Sequence, residues 1–318
     1  MAVAVGELVE RARSGDPRAV GRLISLVENA SPALRDVMAA LVPHVGHARI
    51  VGLTGSPGVG KSTTTAALVS AYRAEGKRVG VLAVDPSSPF SGGALLGDRV
   101  RMQEHATDGG VYIRSMANRG HLGGVAWATP QALRVLDAAG CDVVLVETVG
   151  VGQAEVEVAS LADTTVVLVA PGMGDAIQAA KAGILEVADV FVVNKADREG
   201  ADATARDLRH MLSLGERRTP EDWQPPVVKT VAARGEGIAD VVAALDRHHD
   251  WLAESGRLDA KRRLRAADEI EAIAVTALRE RMGDLRGGTL LDELAGRVVA
   301  GTIDPYAAAD ELVGGVTD

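Results

Sequence analysis

The spacing of hydrophobic positions changes twice along this chain. In residues 1–46 they recur at intervals of three and four residues, which predicts amphipathic helices. Between about Ala48 and Asp250, short and almost entirely apolar runs alternate with helical patterns. After about Asp250 only helical patterns remain. The runs that we predict to be strands are 49–54, 78–84, 111–114, 143–146, 165–169, 190–193 and 227–230.

Helical patterns separate several of these strands, at 62–75, 130–139, 178–187 and 203–214. Strands that are apolar on both faces and alternate with helices predict an α/β fold with a doubly wound, mostly parallel sheet. A long amphipathic helix is predicted at 261–281, followed by shorter ones at 290–300 and 305–312. We therefore expect an N-terminal helical extension (1–46), an α/β domain (47–250) and a C-terminal helical extension (251–318).

Composition and charge exclude several classes of protein. The 318 residues include 34 basic and 43 acidic ones, giving a net charge of -9 without a long basic run. Nucleic acid is therefore not expected as a main partner, because phosphate backbones attract a positive surface. The single cysteine, Cys141, can form neither an internal disulfide nor a Cys-based zinc motif. With no signal-peptide pattern and no apolar run long enough for a bilayer, we expect a cytoplasmic protein without a membrane partner.

A glycine-rich segment after the first predicted strand matches the phosphate-binding pattern G-x-x-x-x-G-K-[ST] in full. It lies between a strand and a helix, which is the context that the pattern requires. Its backbone N–H groups and the helix N-terminus would surround phosphate oxygens. Lys61 would reach the β- and γ-phosphates, and the Ser62 hydroxyl would bind Mg²⁺. The predicted nucleotide contacts in this phosphate loop are Gly55, Ser56, Pro57, Gly58, Val59, Gly60, Lys61, Ser62 and Thr63.

A second motif, Asn194-Lys195-Ala196-Asp197, follows a predicted strand and matches N-K-x-D, the guanine signature of GTPases. The Asp197 carboxylate can accept hydrogen bonds from N1–H and the exocyclic amine of guanine, whereas adenine would leave it unpaired. Lys195 would lie along the base, and Asn194 would fix the loop and contact N7. Alone, these residues would indicate a helix N-terminus capped by aspartate. Together with the phosphate loop they predict guanine specificity.

A third loop, 231–235, occupies the place where GTPases usually carry Ser-Ala. Val231 replaces the serine, so that only the backbone N–H of Ala232 or Ala233 would contact the base.

Three acidic residues, two of them at strand ends, are candidates for a magnesium site. Glu147 and Gly150 stand where most GTPases carry D-x-x-G, whose acid supports Mg²⁺ and whose glycine senses the γ-phosphate. Asp85 follows the strand 78–84, and Asp98 lies in a Gly-rich stretch. The alternatives are a capping role for Glu147 and turn formation by the two aspartates. The predicted metal ligands are Ser62, Asp85, Asp98 and Glu147, and the predicted catalytic groups are Lys61, Asp85, Glu147 and Gly150.

The residue after Gly150 is Val151, where GTPases that position water with a glutamine often carry that glutamine. We therefore predict slow intrinsic hydrolysis that a partner completes or accelerates.

Histidines and a polar loop offer weaker candidates. His248-His249 and the pair His44 and His47 lack a third ligand nearby in sequence, which favours solvated residues at helix ends over a metal site. Cys141 is predicted to lie in the core. Residues 114–116 and 119–124 are predicted to form a Gly-rich loop, either a partner-sensing segment or a plain surface loop.

Five strings follow one another along the chain, namely GSPGVGKST, VDPSSPFSGGALLGDRVRM, IRSMANRGHLGG, ETVGVGQAEVEVA and NKAD. In this order they resemble the MeaB type of G protein, also called the methylmalonic aciduria type A or LAO/AO (ArgK) transport ATPase family. The resemblance extends from about Val20 to Asp310.

This resemblance implies a SIMIBI-class P-loop GTPase core whose C-terminal extension forms a homodimer. It implies an accessory role for an adenosylcobalamin-dependent acyl-CoA mutase of the methylmalonyl-CoA type, in which GTP hydrolysis gates cofactor delivery and protects the mutase. By matching position, Ser62, Asp85, Asp98 and Glu147 would hold magnesium.

Other functions are compatible with the same core. Metal-insertion GTPases for urease or hydrogenase usually carry His-rich or Cys-based motifs, and this sequence has neither. A kinase acting on periplasmic amino-acid-binding proteins is a further alternative, against which the guanine motif argues. The last alternative is a structural dimer that holds its nucleotide and hydrolyses GTP at a negligible rate.

Overall fold

The computed structural model describes residues 5–86, 102–105, 107–118, 128–148, 154–172, 187–214, 219, 222–282 and 289–317. The chain divides into two compact units, Met1–Lys261 and Arg262–Asp318.

The first unit is built on a seven-stranded sheet with the order β3-β2-β4-β1-β5-β6-β7. Every neighbouring pair of strands is parallel. The predicted α/β fold with a doubly wound sheet is therefore confirmed. The strands are β1 (Arg49–Thr54), β2 (Val79–Pro86), β3 (Val111–Asn118), β4 (Val143–Thr148), β5 (Thr164–Val169), β6 (Val190–Val193) and β7 (Val227–Lys229).

Helices precede the sheet, connect its strands and follow it. Short 3₁₀ helices occupy Val42–His44, Gln103–His105 and Ala232–Arg234. The α-helices in chain order are α1 (Val5–Arg13), α2 (Pro17–Glu28), α3 (Leu34–Leu41), α4 (Lys61–Ala74), α5 (Thr129–Ala138), α6 (Ala154–Leu161), α7 (Ala201–Leu214), α8 (Ile238–Glu254), α9 (Arg257–Met282), α10 (Thr289–Val299) and α11 (Pro305–Thr317).

Both faces of the sheet are covered, which explains why its central strands are apolar throughout. Successive side chains of a strand point to opposite faces. Val144 and Val146 of β4 belong to the core that contains α1, α2, α3 and α5. Val143 and Leu145 belong to the core that contains α4 and α8. The N-terminal helices are thus one of the two layers that bury the sheet.

Close approach of α6 to the sheet depends on a glycine in β1. A Cβ built on Gly52 would lie 2.6 Å from Cγ1 of Val158 and 3.0 Å from Cβ of Ala162. Any larger residue would push the helix away from the strand.

The segment after β2 differs from its prediction. Strand β3, predicted for 111–114, continues to Asn118, so that the loop prediction for residues 115 and 116 was wrong. The strand continues because these residues pair with β2, as Ser115 does with Ala83. In addition, Arg114 forms an ion pair with Glu28 and donates to the Ser25 hydroxyl over 3.1 Å. Residues 119–124, and residues 178–186 of the predicted helix 178–187, lie outside the described residues.

In the second unit, α10 and α11 pack through Leu294 and Ala308, and Arg297 forms an ion pair with Glu311 at 2.8 Å. The predicted apolar side of α9 is exposed. Its Leu264, Ile270 and Leu278 side chains retain 57–68% of their accessible surface. No helix in the described part of the chain combines the length and apolar character needed to span a bilayer.

Candidate functional site

The phosphate loop connects β1 to α4 and depends on glycines for its shape. Gly55 (φ 139°), Gly58 (φ 81°) and Gly60 (φ 97°) all adopt positive φ, which L-residues rarely do. A Cβ on Gly55 would overlap the carbonyl of Leu168, and one on Gly60 would overlap the side-chain amide of Asn194. The loop is therefore held between β5 and the guanine motif.

Lys61 lies inside this loop, at the first position of α4. Its side chain is buried, and Nζ donates to the carbonyls of Gly55 (2.5 Å) and Ser56 (3.3 Å). An ammonium group beside a helix N-terminus produces a local positive field, which suits a phosphate.

Ser62 and Glu147 bring oxygen donors to the same place. Leu53 of β1 is in register with Glu147 of β4, so that this carboxylate stands beside the strand that leads into the loop. Glu147 is fully buried and Ser62 nearly so. Carboxylate and hydroxyl oxygens are ligands that Mg²⁺ accepts, and the pair fits such an ion chemically.

Of the other predicted metal and catalytic residues, only the backbone of Asp85 is described. It follows Val84, which is in register with Thr148, so Asp85 and Glu147 stand at the carboxyl ends of neighbouring strands. Asp98 and Gly150 lie outside the described residues.

The side-chain amide of Asn194 links the three predicted nucleotide loops. Its Nδ2 donates to the carbonyl of Val59 in the phosphate loop over 2.8 Å. Its Oδ1 accepts from the Thr230 hydroxyl and from the Ala232 N–H, each over 3.1 Å. Because Asn194 is buried, these bonds are shielded from water. The loops therefore form one connected structure.

Lys195 and Asp197 lie at the edge of that structure. Lys195 adopts a φ of 58°, and its Nζ donates to the Gly58 carbonyl over 2.6 Å, so its chain extends over the phosphate loop. The Asp197 side chain is 43% exposed, and Nη2 of Arg234 is 3.9 Å from its Oδ2. A carboxylate in this position can accept hydrogen bonds from a ligand.

The loop after β7 contributes backbone rather than side chains. The Val231 N–H donates to the Glu236 carbonyl over 3.0 Å. The Ala232 N–H is bonded to Asn194, which makes the Ala233 N–H the remaining candidate for the predicted backbone contact with a base.

Sequence reasoning was wrong about His248. It is buried in α8, Nδ1 is 2.8 Å from the Thr164 hydroxyl, and Nε2 is 3.3 Å from Asp189. Its ring lies against Trp223 and Trp251. Burial lowers the pKa of His248 to about 4, so the ring is neutral near pH 7.

The signal for this burial was present in the sequence, because His248 continues the helical spacing of the buried Val241 and Leu245. Cys141 is buried, as predicted. Within the described ranges, no three His, Cys, Asp or Glu side chains cluster closely enough to hold a metal ion.

We compared the sequence and the structure of this chain with those of known proteins. Residues 20–285 match the family described as methylmalonyl-CoA mutase-associated GTPase MeaB. A Pyrococcus abyssi protein named as a GTPase is 50% identical over 317 residues, covering 98% of both chains. The mitochondrial methylmalonic aciduria type A homolog of Mus musculus is 42% identical over 214 residues, 67% of this chain and 52% of that protein. The crystal structure of an LAO/AO transport system kinase matches with a TM-score of 0.75 over 100% of both chains, at 27% identity. The chain therefore belongs to the MeaB family of methylmalonyl-CoA mutase-associated GTPases.

Proposed function

We propose that this GTPase binds GTP and Mg²⁺ at the carboxyl ends of β1, β4 and β6 and hydrolyses the GTP slowly. We further propose that this cycle gates the delivery of adenosylcobalamin to an acyl-CoA mutase of the methylmalonyl-CoA type and protects that mutase. The main observation that supports a nucleotide site is that the Asn194 amide joins the phosphate loop to the guanine motif. Membership of the MeaB family supports the mutase as client.

The phosphate loop is proposed to bind the phosphates through its backbone from Gly55 to Thr63. Lys61 would exchange its bonds to the Gly55 and Ser56 carbonyls for bonds to phosphate oxygens. This exchange costs little, because the charged ammonium gains stronger, charge-assisted partners.

Ser62, Asp85, Asp98 and Glu147 are proposed to hold Mg²⁺. Their oxygen donors suit a hard divalent cation. The ion supplies positive charge that offsets the charge on the β- and γ-phosphates.

Asp197 is proposed to bind the guanine edge, and Lys195 to cover the base. The Lys195 chain already lies against the phosphate loop, and the Asp197 carboxylate is exposed beside it. Adenine offers no N1–H and no exocyclic amine at the matching position. ATP should therefore bind more weakly, since the carboxylate would lose its partners.

The mutase role is tested by phosphate release. Release from GTP and from ATP is measured with and without a purified adenosylcobalamin-dependent acyl-CoA mutase from the same cell. We expect turnover of GTP only, slow alone because Val151 stands in the place of a glutamine, and faster with the mutase. Unchanged GTP turnover in the presence of the mutase would contradict the client assignment and leave the GTPase intact.

We also propose that the protein is a homodimer whose interface includes α9. The support is the exposure of Leu264, Ile270 and Leu278, which is unusual for large apolar side chains on one helix. Removal of the residues after Lys261 should yield a monomer that still binds GTP, as measured by light scattering and nucleotide titration. A truncated protein that remained dimeric would place the interface elsewhere.

A further inference from the structure

The third threonine of the run Thr63-Thr64-Thr65 makes an unusual contact. Thr65 lies one turn into α4 and is completely buried. Its Oγ1 is 2.5 Å from Oε2 of Glu147 and 3.1 Å from the carbonyl oxygen of Lys61. The hydroxyl therefore lies between a helix carbonyl and the carboxylate that we propose for magnesium.

The direction of this hydrogen bond follows from the chemistry of its partners. An ionised carboxylate can only accept, so Thr65 must be the donor when Glu147 carries its charge. The separation of 2.5 Å is that of a charge-assisted O–H···O⁻ bond, which is stronger than a bond to a neutral carbonyl. Of its two acceptors, the hydroxyl thus donates to Glu147.

Thr65 is also on the correct side of the helix. Residues three apart on a helix share a face, so Ser62 and Thr65 both point to the side on which β4 carries Glu147. A glutamate has one more rotatable bond than the aspartate that most GTPases carry here. A donor fixed to Oε2 restricts that extra freedom and sets the plane of the carboxylate.

We propose that Thr65 is a positioning residue for magnesium, acting by orienting the Glu147 carboxylate. The inference rests on the proposed function, in which Ser62 and Glu147 hold the ion. Partners of this kind, which touch a metal ligand but not the metal, typically change metal affinity by about 10- to 100-fold when removed. The competing interpretation is that the bond only stabilises a buried carboxylate, in which case its loss would affect folding and not magnesium affinity.

Thr65→Val removes the hydroxyl and keeps the shape of the side chain. The matched control is Thr64→Val, because Thr64 is equally buried in α4 and its hydroxyl donates to the Gly60 carbonyl over 3.0 Å. The measurement is the binding of a fluorescent, non-hydrolysable GTP analogue over a range of free Mg²⁺ concentrations. Each variant is also melted without nucleotide, and Thr65→Ala takes the place of Thr65→Val if the valine variant does not fold.

We expect Thr65→Val to raise the Mg²⁺ concentration for half-maximal binding by about 10- to 100-fold. Thr65→Ser should restore the wild-type value, and Thr64→Val should keep it. A midpoint for Thr65→Val equal to that of Thr64→Val, or no restoration by serine, would overturn the proposal even if the melting temperature falls. A wild-type protein that binds the analogue equally with and without Mg²⁺ would overturn the proposed magnesium site as well, which distinguishes the two failures.

Discussion

Replacement of Asn194 by alanine tests whether one amide holds the nucleotide loops together. The change removes three hydrogen bonds, to the Val59 carbonyl, the Thr230 hydroxyl and the Ala232 N–H. At about 1 kcal/mol each, with buried partners left unsatisfied, the free energy of unfolding should fall by about 3 kcal/mol. The protein should also lose affinity for GDP, because Val59 and Ala232 would no longer be held in fixed relation.

The assay is chemical denaturation followed by tryptophan fluorescence, with GDP titration of the folded variant. Asn29→Ala is the matched control, since its exposed amide makes one bond, to the Ser25 carbonyl over 2.8 Å. That variant should lose less than about 0.5 kcal/mol. If Asn194→Ala were no more destabilising than Asn29→Ala, the amide would not be the link that its geometry indicates.

Three further predictions concern other positions. Gly60→Ala places a Cβ against the guanine motif at a φ of 97° and should weaken GDP binding at least about tenfold, whereas Gly76→Ala, at a φ of 78° with open space around it, should bind GDP normally. The pKa of about 4 for the buried His248 means that the folded state binds fewer protons than the unfolded state between pH 4 and 6.5. The free energy of unfolding should therefore fall by about 2 kcal/mol from pH 7 to pH 5, and denaturation of His248→Gln should lack this dependence. Asp137→Ala removes the acceptor of the N–H groups of residues 46–48 and should lower the free energy of unfolding by about 2 kcal/mol in the same assay.

The strands and the phosphate loop could be predicted because local sequence determines them. A buried parallel strand must be apolar on both faces, and β4 shows that pattern in four consecutive residues, from Val143 to Val146. The glycine positions of the phosphate loop follow from positive φ angles that other residues avoid.

Contacts between distant segments could not be predicted in the same way. The guanine motif identified Asn194 as a nucleotide-site residue. It did not reveal the bond from Asn194 to Val59, because that bond joins residues 135 positions apart. The run of three threonines gave no reason to prefer Thr65 over Thr64, because only the register of β4 beside β1 brings Glu147 to one of them. Similarly, the amphipathic pattern of α2 indicated that one side of this helix is buried. The pattern did not indicate that this side packs against the sheet.

The covering of the sheet by α1, α2 and α3 has a consequence for how the chain folds during synthesis. Their apolar residues, such as Leu23 and Val37, leave the ribosome before Val144 and Val146, against which they share a core. About 100 residues separate the end of α3 from the end of β4, which at typical translation rates is roughly 5 to 20 s. During that interval β2 and β3 are already present, but β4, which joins them to β1, is still missing from the sheet that these helices cover. Until β4 follows, part of the apolar surface of these helices stays uncovered, and such transiently exposed surface favours aggregation.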